Sequence, residues 1–175
     1  LFASTLEKRK NVETLLEAYS LIIDEIDMPL VLVGGAGYGF ENIKNKYSSL
    51  SEKAQKNIKF MGYVSEADKF ALFENAFSFV FQSVYEGFGL IILEAMQSEL
   101  PVISTKAGAL KEAGGDAALY IENPYDPHEI AAAIKKLIKE PELRKDMVAK
   151  GKEVLKKYTH EKFVQRFSKA LESLK

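Results

Sequence analysis

Two glutamates flank a glycine-rich turn near the middle of this 175-residue chain, in the sequence Glu86-Gly-Phe-Gly89-Leu-Ile-Ile-Leu-Glu94. The turn lies where an apolar strand is predicted to end and a helix to begin, and its glycines let the backbone turn sharply and approach a ligand closely. The first amides of a helix have no partner within the helix, so they form an anion site that suits phosphate. The segment is therefore predicted to bind an anionic group.

Glu94 lies in an otherwise apolar helical stretch. A buried carboxylate there costs several kcal/mol unless it is paired or hydrogen-bonded, and the vicinal hydroxyls of a sugar would serve as partners. Glu86 follows a strand, at the edge where parallel sheets bind ligands. A structural ion pair or a capping contact would explain either glutamate alone. Two glutamates around Gly-x-Gly at a helix start favour a functional role.

A cationic run, Lys8-Arg9-Lys10-Asn11, follows the first predicted strand and opens a helix. Cations at a helix N-terminus oppose the helix dipole, at up to about 1 kcal/mol each relative to the acids preferred there. A local rule broken at the ligand edge of a sheet suggests a functional reason. Three positive charges at this place would hold a diphosphate, and solvated loop lysines are the alternative interpretation.

A second glycine-rich run, Gly34-Gly-Ala-Gly-Tyr-Gly39, follows the second predicted strand. It does not match the dinucleotide-binding pattern, because Phe40 occupies the position of the last required glycine when the count starts at Gly35. The same phenylalanine stands where a phosphate-binding P-loop needs lysine. Taken alone, the run indicates only the exit of a strand.

Short apolar runs alternate with helical periods over most of the chain. Strands are predicted at residues 1–4, 29–33, 58–61, 77–81, 101–104 and 117–121. Helices are predicted at residues 10–26, 38–56, 65–75, 90–97 and 109–113, with Ser65 as an N-cap. This alternation predicts an α/β fold, a Rossmann-like, doubly wound parallel sheet of about six strands covered on both faces.

Beyond residue 125 the pattern predicts extra C-terminal helices alone. Asp126 is a strong N-cap, with Pro127 at the first helical position and Glu129 three residues after the cap, as in a capping box. Pro141 opens another helix, and Thr159 caps the last one. The residues predicted to lie on the inner face of that last helix are Phe163, Val164, Phe167, Leu171 and Leu174.

The composition excludes several classes of function. The chain has no cysteine and two histidines, which rules out thiolate zinc sites and cysteine nucleophiles and predicts no metal site. A formal net charge of −1 argues against a nucleic-acid-binding protein, which is typically basic. No apolar run approaches the roughly 18 residues of a transmembrane helix. The expected location is the cytoplasm, with peripheral association at the membrane face left open.

Several motifs occur together in an order that resembles one enzyme family. They are Glu86-Gly-Phe-Gly-Leu…Glu94-Ala-Met, Pro101-Val-Ile-Ser, Gly114-Gly-Asp-Ala-Ala, Thr5-Leu-Glu-Lys-Arg-Lys-Asn11 and Asn57-Ile-Lys-Phe-Met-Gly-Tyr-Val64. Together they resemble the C-terminal domain of GT-B-fold retaining glycosyltransferases of family 4, also called glycosyl transferases group 1. The spacing Glu-x7-Glu is that family's signature, and the resemblance covers essentially the whole chain.

The resemblance implies a role for each matching residue. Glu94 would bind the ribose hydroxyls of a nucleotide, and Glu86 would contact the donor sugar near the reacting carbon. Lys10 and Arg9 would neutralise the diphosphate and stabilise it as the leaving group. Thr5 stands where many relatives have arginine, which places more of that charge on the two cations. The other implied ligand contacts are Gly87, Phe88, Gly89 and Leu90 for sugar and phosphate, Gly34 and Gly35 beside the nucleotide, and Tyr63 and Val64 at the base.

The resemblance also implies a donor and a domain arrangement. The donor would be a nucleotide-diphosphate sugar such as a UDP- or GDP-sugar, used by a hexosyltransferase without a metal, because cationic side chains and the helix dipole replace it. Residues 1–175 would form one donor-binding domain, with an α/β core over 1–125 and a helical part over 126–175.

An N-terminal domain that binds a saccharide or lipid-linked acceptor would be missing. The start at Leu1-Phe-Ala-Ser4, with no initiator methionine, fits a piece of a longer protein. In relatives the last helix crosses to that other domain, so Phe163 and Phe167 are expected to be exposed here. Gln82 departs from a proline that is frequent in the family.

Two alternatives to a glycosyltransferase stay open. The first is a nucleotide-sugar epimerase, which turnover of a nucleotide sugar without acceptor would favour. The second is a non-catalytic nucleotide-binding domain. In the main interpretation, this piece alone is predicted to bind a nucleotide but to transfer no sugar.

Overall fold

Strands and helices alternate along most of the computed structural model, which describes residues 1–173. The strands are β1 (Phe2–Ala3), β2 (Leu30–Val33), β3 (Ile58–Gly62), β4 (Phe79–Phe81), β5 (Val102–Ser104) and β6 (Ala118–Tyr120). The helices are α1 (Val12–Ile22), α2 (Phe40–Ser48), α3 (Glu52–Asn57), α4 (Glu66–Asn75), α5 (Leu90–Gln97), α6 (Leu110–Gly114), α7 (Pro127–Lys139), α8 (Pro141–Leu155) and α9 (His160–Glu172). These elements confirm the α/β class predicted from the alternating apolar runs.

The strands form two parallel three-stranded sheets, β1-β2-β3 and β4-β5-β6. The sheets meet where Leu1 runs beside β4. There the Leu1 nitrogen donates to the Ser78 carbonyl and the Val80 N–H donates to the Leu1 carbonyl, both at 2.9 Å. The strands therefore follow the spatial order 3-2-1-4-5-6, which reverses between β1 and β4. In doubly wound folds, ligands bind outside the carboxyl ends of the strands at this reversal.

An aromatic stack holds the two sheets together where they meet. Phe2 of β1 stacks on Phe81 of β4 with ring centroids 6.1 Å apart, and Phe81 stacks on Phe79 at 5.7 Å. All three rings are buried, and each such side chain contributes about 1.5–3 kcal/mol relative to an exposed one. Because the core runs continuously across β1 and β4, the turns that follow these strands are held at a fixed separation.

The helix starts agree with the capping signals in the sequence. Ser65, Asp126 and Thr159 each accept a hydrogen bond from a backbone N–H in the first turn of α4, α7 and α9. Pro127 and Pro141 lie at the starts of α7 and α8, where a missing N–H costs nothing. These local signals therefore place the N-terminal ends of four of the helices.

Glu129 differs from the capping-box prediction. Its Oε2 accepts hydrogen bonds from the N–H groups of Glu122 at 2.8 Å and Asn123 at 2.9 Å. The Asp126 N–H instead donates to the Asn123 carbonyl at 3.1 Å. Because the turn after β6 folds back over the start of α7, its amides meet the carboxylate. Glu129 thus fastens the end of β6 to α7 and does not close a capping box.

The polar stretch predicted as one helix over residues 38–56 is two helices, α2 and α3. Its serines favour local hydrogen bonds over a continuous helix. The Ser49 hydroxyl donates to the Lys46 carbonyl at 2.7 Å, and the Ser51 hydroxyl caps α3 by accepting from a backbone N–H. Relative to the predicted apolar runs, β1, β4 and β6 are each two residues shorter, whereas β3 extends one residue further, to Gly62.

The last described helix, α9, has no buried residue. Phe163 and Phe167 are 64% and 55% exposed, and their rings stack on each other with centroids 5.9 Å apart. Val164 and Leu171 are exposed as well. The prediction of a packed inner face is therefore wrong for these four residues, while the exposure that the family resemblance implied is confirmed. Leu174 lies outside the described residues.

Among residues 1–173, no helix combines the length and apolar character needed to cross a bilayer.

Candidate functional site

The turns after β1 and β4 bring three predicted site residues together at the reversal of the sheet. Glu86 Oε1 accepts hydrogen bonds from Arg9 Nη1 at 2.9 Å and from Ser83 Oγ at 2.7 Å, and it forms an ion pair with Lys10 Nζ. The side chains of Glu86 and Lys10 are 10% and 6% exposed. Lys8, the third cation of the run, is exposed. The structure thus separates the solvated Lys8 from a shielded pair of Lys10 and Glu86, to which Arg9 adds a contact from a side chain that is 46% exposed.

The electrostatics of the cluster keep Glu86 ionised. Burial alone would raise the pKa of Glu86, but hydrogen bonds from Lys10 and Ser83 and the charge of Lys10 outweigh burial and lower that pKa below its usual range. The Lys10 ammonium also lies 4.8 Å from the centroid of the Phe81 ring, within cation–π range. A charged carboxylate and a shielded cation therefore share the ligand edge of the sheet.

We expect the chain to lose part of its stability in acid through Glu86. A carboxyl whose pKa is lower in the folded than in the unfolded chain stabilises the fold at neutral pH, and this contribution disappears as the pH falls below about 4.5 and through the folded-state pKa. Free energies of unfolding in urea, measured from about pH 6 to about pH 3, should fall more steeply for the wild type than for Glu86→Gln. Parallel curves for the two proteins would contradict this expectation.

A buried glutamine holds the backbone of the cationic turn. Gln82, just after β4, is fully buried, and its Nε2 donates to the carbonyls of Lys10 at 2.9 Å and Asn11 at 3.1 Å. Lys8–Lys10 form a short 3-10 helix and Asn11 has a left-handed φ of 55°, so α1 begins after the cations and not at residue 10 as predicted. The sequence marked Gln82 only as a departure from a proline that is frequent in the family that the chain resembles. The feature of the sequence that indicates this contact is a side-chain amide placed directly after an apolar strand.

The glycine-rich turn leads directly into α5. Gly89 has a φ of 85°, which strains any other residue, and a Cβ at this position would also displace a leucine side chain of α6 that lies 2.4 Å away. Gly87 faces open space and Leu90 is exposed, which leaves the start of α5 accessible. On the other side, the Phe88 ring meets Tyr158 edge-on with centroids 5.5 Å apart. The predicted anion site is therefore open on one side and supported on the other.

Glu94 is less buried than its apolar neighbours suggested. Its side chain is 32% exposed, and its Oε2 lies 2.8 Å from Lys69 Nζ on α4. The expectation of a buried carboxylate is therefore wrong for the side chain as a whole, although Oε2 itself is fully enclosed. Lys69 was not recognised in the sequence, where it is one of many lysines on helical surfaces. Its pairing with Glu94 provides the structural ion pair that had been considered as an alternative role.

Five further predicted ligand residues lie at the carboxyl ends of β1, β2 and β3. Gly34 has a φ of 135°, and a Cβ there would lie 1.9 Å from a carbonyl oxygen of the segment after β1. Gly35 and Thr5 are exposed, Tyr63 is 85% exposed and Val64 is half-buried against the core. These residues share the edge that carries the Glu86 cluster. Their predicted contacts with a nucleotide stay predictions.

One residue of the site had no distinctive signal in the sequence. Gly108, in the loop after β5, has a φ of 55°, and a Cβ there would lie 2.1 Å from the carbonyl oxygen of Glu86. The loop therefore packs directly on the Glu86 backbone, and any side chain at position 108 would displace it. Composition does not distinguish Gly108 from other glycines after strands, because the contact joins two separate strand–turn–helix units.

The fold and the site define a class of protein. It is a doubly wound α/β domain whose ligand edge carries a shielded carboxylate–cation cluster beside a glycine-capped helix start. Within residues 1–173, no three histidine, aspartate or glutamate side chains gather closely enough to hold a metal ion. The family model for glycosyl transferases group 1 matches residues 1–154, so this chain belongs to the glycosyl transferases group 1 family.

Individual relatives agree with this assignment. The O-antigen chain mannosyltransferase B of Escherichia coli is 36% identical over 165 residues, which cover 92% of this chain and 42% of that protein. The C-terminal domain of the group 1 family protein LpcC from Francisella tularensis superposes with a TM-score of 0.79 at 27% identity, over 91% of this chain and 85% of that one. The chain corresponds to the C-terminal domain of a group 1 glycosyltransferase.

Anabaena Alr3699/HepE, solved in complex with UDP, has the same fold. Its TM-score is 0.85 at 21% identity, over 98% of this chain and 48% of that one. The chain thus spans less than half the length of this structure and of the mannosyltransferase.

Proposed function

We propose that this chain is the donor-binding domain of a glycosyltransferase and that it binds a nucleotide-diphosphate sugar. The observation that carries the proposal is the cluster of Glu86, Lys10 and Arg9 at the reversal of the sheet, beside the start of α5. Membership of the group 1 family and the UDP complex of Anabaena Alr3699/HepE support it. Residues 1–175 would act as one domain, with the α/β core over 1–125 and the helical part over 126–175.

The diphosphate would bind between the cationic turn and the start of α5. Lys10 and Arg9 supply two positive charges, and the backbone amides from Gly87 to Leu90 supply hydrogen-bond donors at the positive end of the helix dipole. These groups are oriented before the ligand arrives, so they stabilise the charge that develops on the leaving diphosphate without reorganisation. In this proposal the two cations do the work that a metal ion performs in other phosphate-transferring enzymes.

Glu86 would exchange partners when the donor binds. Its Oε1 neutralises Lys10 and Arg9, and a diphosphate brings negative charge that competes for the same cations. The carboxylate, kept ionised by its surroundings, then accepts hydrogen bonds from the donor sugar near the reacting carbon. Glu86 would therefore serve first to position the cations and then to orient the sugar.

The nucleoside would lie along the carboxyl ends of β2 and β3. Glu94 would accept hydrogen bonds from the ribose hydroxyls, Gly34 and Gly35 would let the backbone approach the nucleotide, and Tyr63 with Val64 would contact the base. Thr5 would lie beside the same ligand.

The whole protein would complete the reaction. A second, N-terminal domain would bind the acceptor, and the sugar would pass to it with retention of configuration. By itself this chain is expected to bind a donor and to transfer nothing, and rapid turnover of a nucleotide sugar by the whole protein without acceptor would instead support an epimerase.

The nucleotide role of Glu94 can be tested by titration of the chain. Wild type and Glu94→Ala are titrated calorimetrically with UDP, GDP and ADP. We expect saturable binding of at least one nucleotide by the wild type and a loss of affinity of about a hundredfold in the variant, because two hydrogen bonds to a charged acceptor are removed. The matched control is Glu142→Ala, which removes an exposed glutamate paired with Lys145 and should leave the affinity unchanged. Absence of saturable binding by the wild type would oppose the proposed function, and an unchanged affinity in Glu94→Ala would oppose the ribose role alone.

A further inference from the structure

A three-residue charge cluster connects α4 to α5 behind the predicted ribose site. Lys69 Nζ lies 2.8 Å from Glu94 Oε2 and 2.7 Å from Glu66 Oε2. The Lys69 side chain is 13% exposed, and its ammonium lies 5.1 Å from the centroid of the Phe70 ring. Exposed ion pairs contribute little, but this lysine is shielded from solvent on most sides. The cluster is therefore able to restrain the carboxylates that it contacts.

The two carboxylates of the cluster are not equivalent. Glu66 is 75% exposed, so water screens its charge, whereas Glu94 is 32% exposed. The Oε2 atom of Glu94 is fully enclosed, which leaves the exposure of this side chain on its other atoms. Burial alone would lower the pKa of Lys69, but the hydrogen bond to Glu66 and the ion pair with Glu94 raise it above its usual value, so the lysine stays charged.

A carboxylate that recognises a vicinal diol must hold one orientation. Glutamate has three rotatable side-chain bonds, and ordering them costs free energy when the ligand binds. A carboxylate that is already held by one oxygen presents the other in a fixed direction, and that oxygen has two acceptor sites for two neighbouring hydroxyls. Preorganisation of this kind increases affinity and, above all, the discrimination between a diol and a single hydroxyl.

We propose that Lys69 is a positioning residue for the ribose: it holds Glu94 by Oε2 so that Oε1 meets the 2′- and 3′-hydroxyls together. The inference rests on the proposed function, since it requires that Glu94 binds ribose. The inference adds Lys69, a residue on α4, to the predicted ribose site on α5. The effect of Lys69 is expected on the discrimination between ribose and 2′-deoxyribose. Without the ammonium, Oε2 would be enclosed with no counter-charge, and the carboxylate would turn outward to water and lose its fixed direction.

The test compares each of UDP, GDP and ADP with its 2′-deoxy form on the same chain, and the pair whose ribonucleotide binds most tightly is used. The wild type should prefer the ribonucleotide by about tenfold, as expected for loss of a hydrogen bond to a charged acceptor. In Lys69→Met the preference should fall to about threefold or less, and Lys69→Arg, which keeps the charge, should restore most of it. Lys53→Met, which removes an exposed lysine paired with Asp24 at 2.6 Å, should keep the full preference.

The possible outcomes distinguish the positioning role of Lys69 from the ribose role of Glu94 and from nucleotide binding itself. A folded Lys69→Met protein with the wild-type preference would overturn the positioning role and leave nucleotide binding intact. Equal binding of both forms by the wild type would overturn the ribose role of Glu94 and the positioning role with it, while a wild type that binds no nucleotide would count against the proposed function. If Lys69→Met does not fold, Lys69→Leu decides in the same way, because it also removes both the charge and the hydrogen-bond donors.

Discussion

Replacing Lys10 with methionine is expected to weaken the binding of a nucleoside diphosphate by about ten- to a hundredfold. The Lys10 side chain is only 6% exposed, so its charge is poorly screened by water. A hydrogen bond between charged groups contributes about 1.5–3 kcal/mol, which corresponds to this range of affinities. Methionine has a similar unbranched stem and removes mainly the charge. Calorimetric titration with UDP, GDP and ADP measures the loss.

The matched control is Lys8→Met. It removes the same formal charge two residues earlier in the same turn, from a side chain that is exposed. Solvent and salt screen such a charge, so the affinity should change by no more than about twofold. Equal losses for the two variants would mean that the cationic turn acts only through its net charge. No loss for Lys10→Met would contradict the role of Lys10 at the diphosphate.

The same substitution should also destabilise the fold, because it leaves Glu86 with Arg9 and Ser83 as its remaining donors. Removing one partner of a buried ion pair costs about 3–5 kcal/mol when nothing replaces it, and the remaining donors should limit the loss to about 1–3 kcal/mol. Urea unfolding measures this loss, and the titrations are made at a temperature where both proteins are folded.

Glu86 and Lys10 could be identified from the sequence because each lies beside a predicted helix start at the ligand edge of the sheet. Glu86 precedes a Gly-x-Gly helix start, and Lys10 puts positive charge before a helix N-terminus. Their ion pair could not be derived in this way, since the two residues are 76 positions apart. The pair exists because β1 and β4 are neighbours at the reversal of the sheet, and that adjacency is a property of the strand order and not of either motif.

The environment of Glu94 was misjudged for a reason that lies in helix geometry. Positions 90, 94 and 97 fall on one side of α5, and Leu90, Glu94 and Gln97 are all at least partly exposed. Leu90 is an apolar residue on this exposed side, so the sequence of α5 appeared apolar on every face. Lys69 could not be recognised because its partner lies on α5, which follows α4 in the chain after the intervening strand β4. A single lysine gives no indication of which carboxylate it contacts.

The helices of the C-terminal part show the same division between local and long-range information. Caps and prolines placed the starts of α7, α8 and α9, because those signals act within one turn. The apolar spacing after Thr159 also correctly predicted an amphipathic helix, α9. Whether such a face is packed depends on what lies opposite it, and within residues 1–173 nothing buries it.

Gly108→Ala is expected to lose both stability and nucleotide affinity, because position 108 packs on the backbone of Glu86. Alanine at a φ of 55° pays about 1–2 kcal/mol for the left-handed conformation. In addition, its Cβ would lie 2.1 Å from the Glu86 carbonyl oxygen, so the two loops must move apart. Together we expect a loss of about 2–4 kcal/mol in urea unfolding and, because Glu86 moves away from Lys10, a loss of nucleotide affinity of at least about tenfold.

Gly62→Ala separates the two causes of this loss of stability. Gly62 has a φ of 67°, and nothing lies within 4 Å of a Cβ built there, so its alanine variant pays the conformational cost without a clash. The difference in unfolding free energy between the two variants therefore measures the contact of position 108 with the Glu86 backbone. If both variants lose the same stability, the loop after β5 yields without strain and does not hold Glu86. A larger loss for Gly108→Ala, together with weaker nucleotide binding, identifies this loop as the support that keeps the carboxylate on its cations.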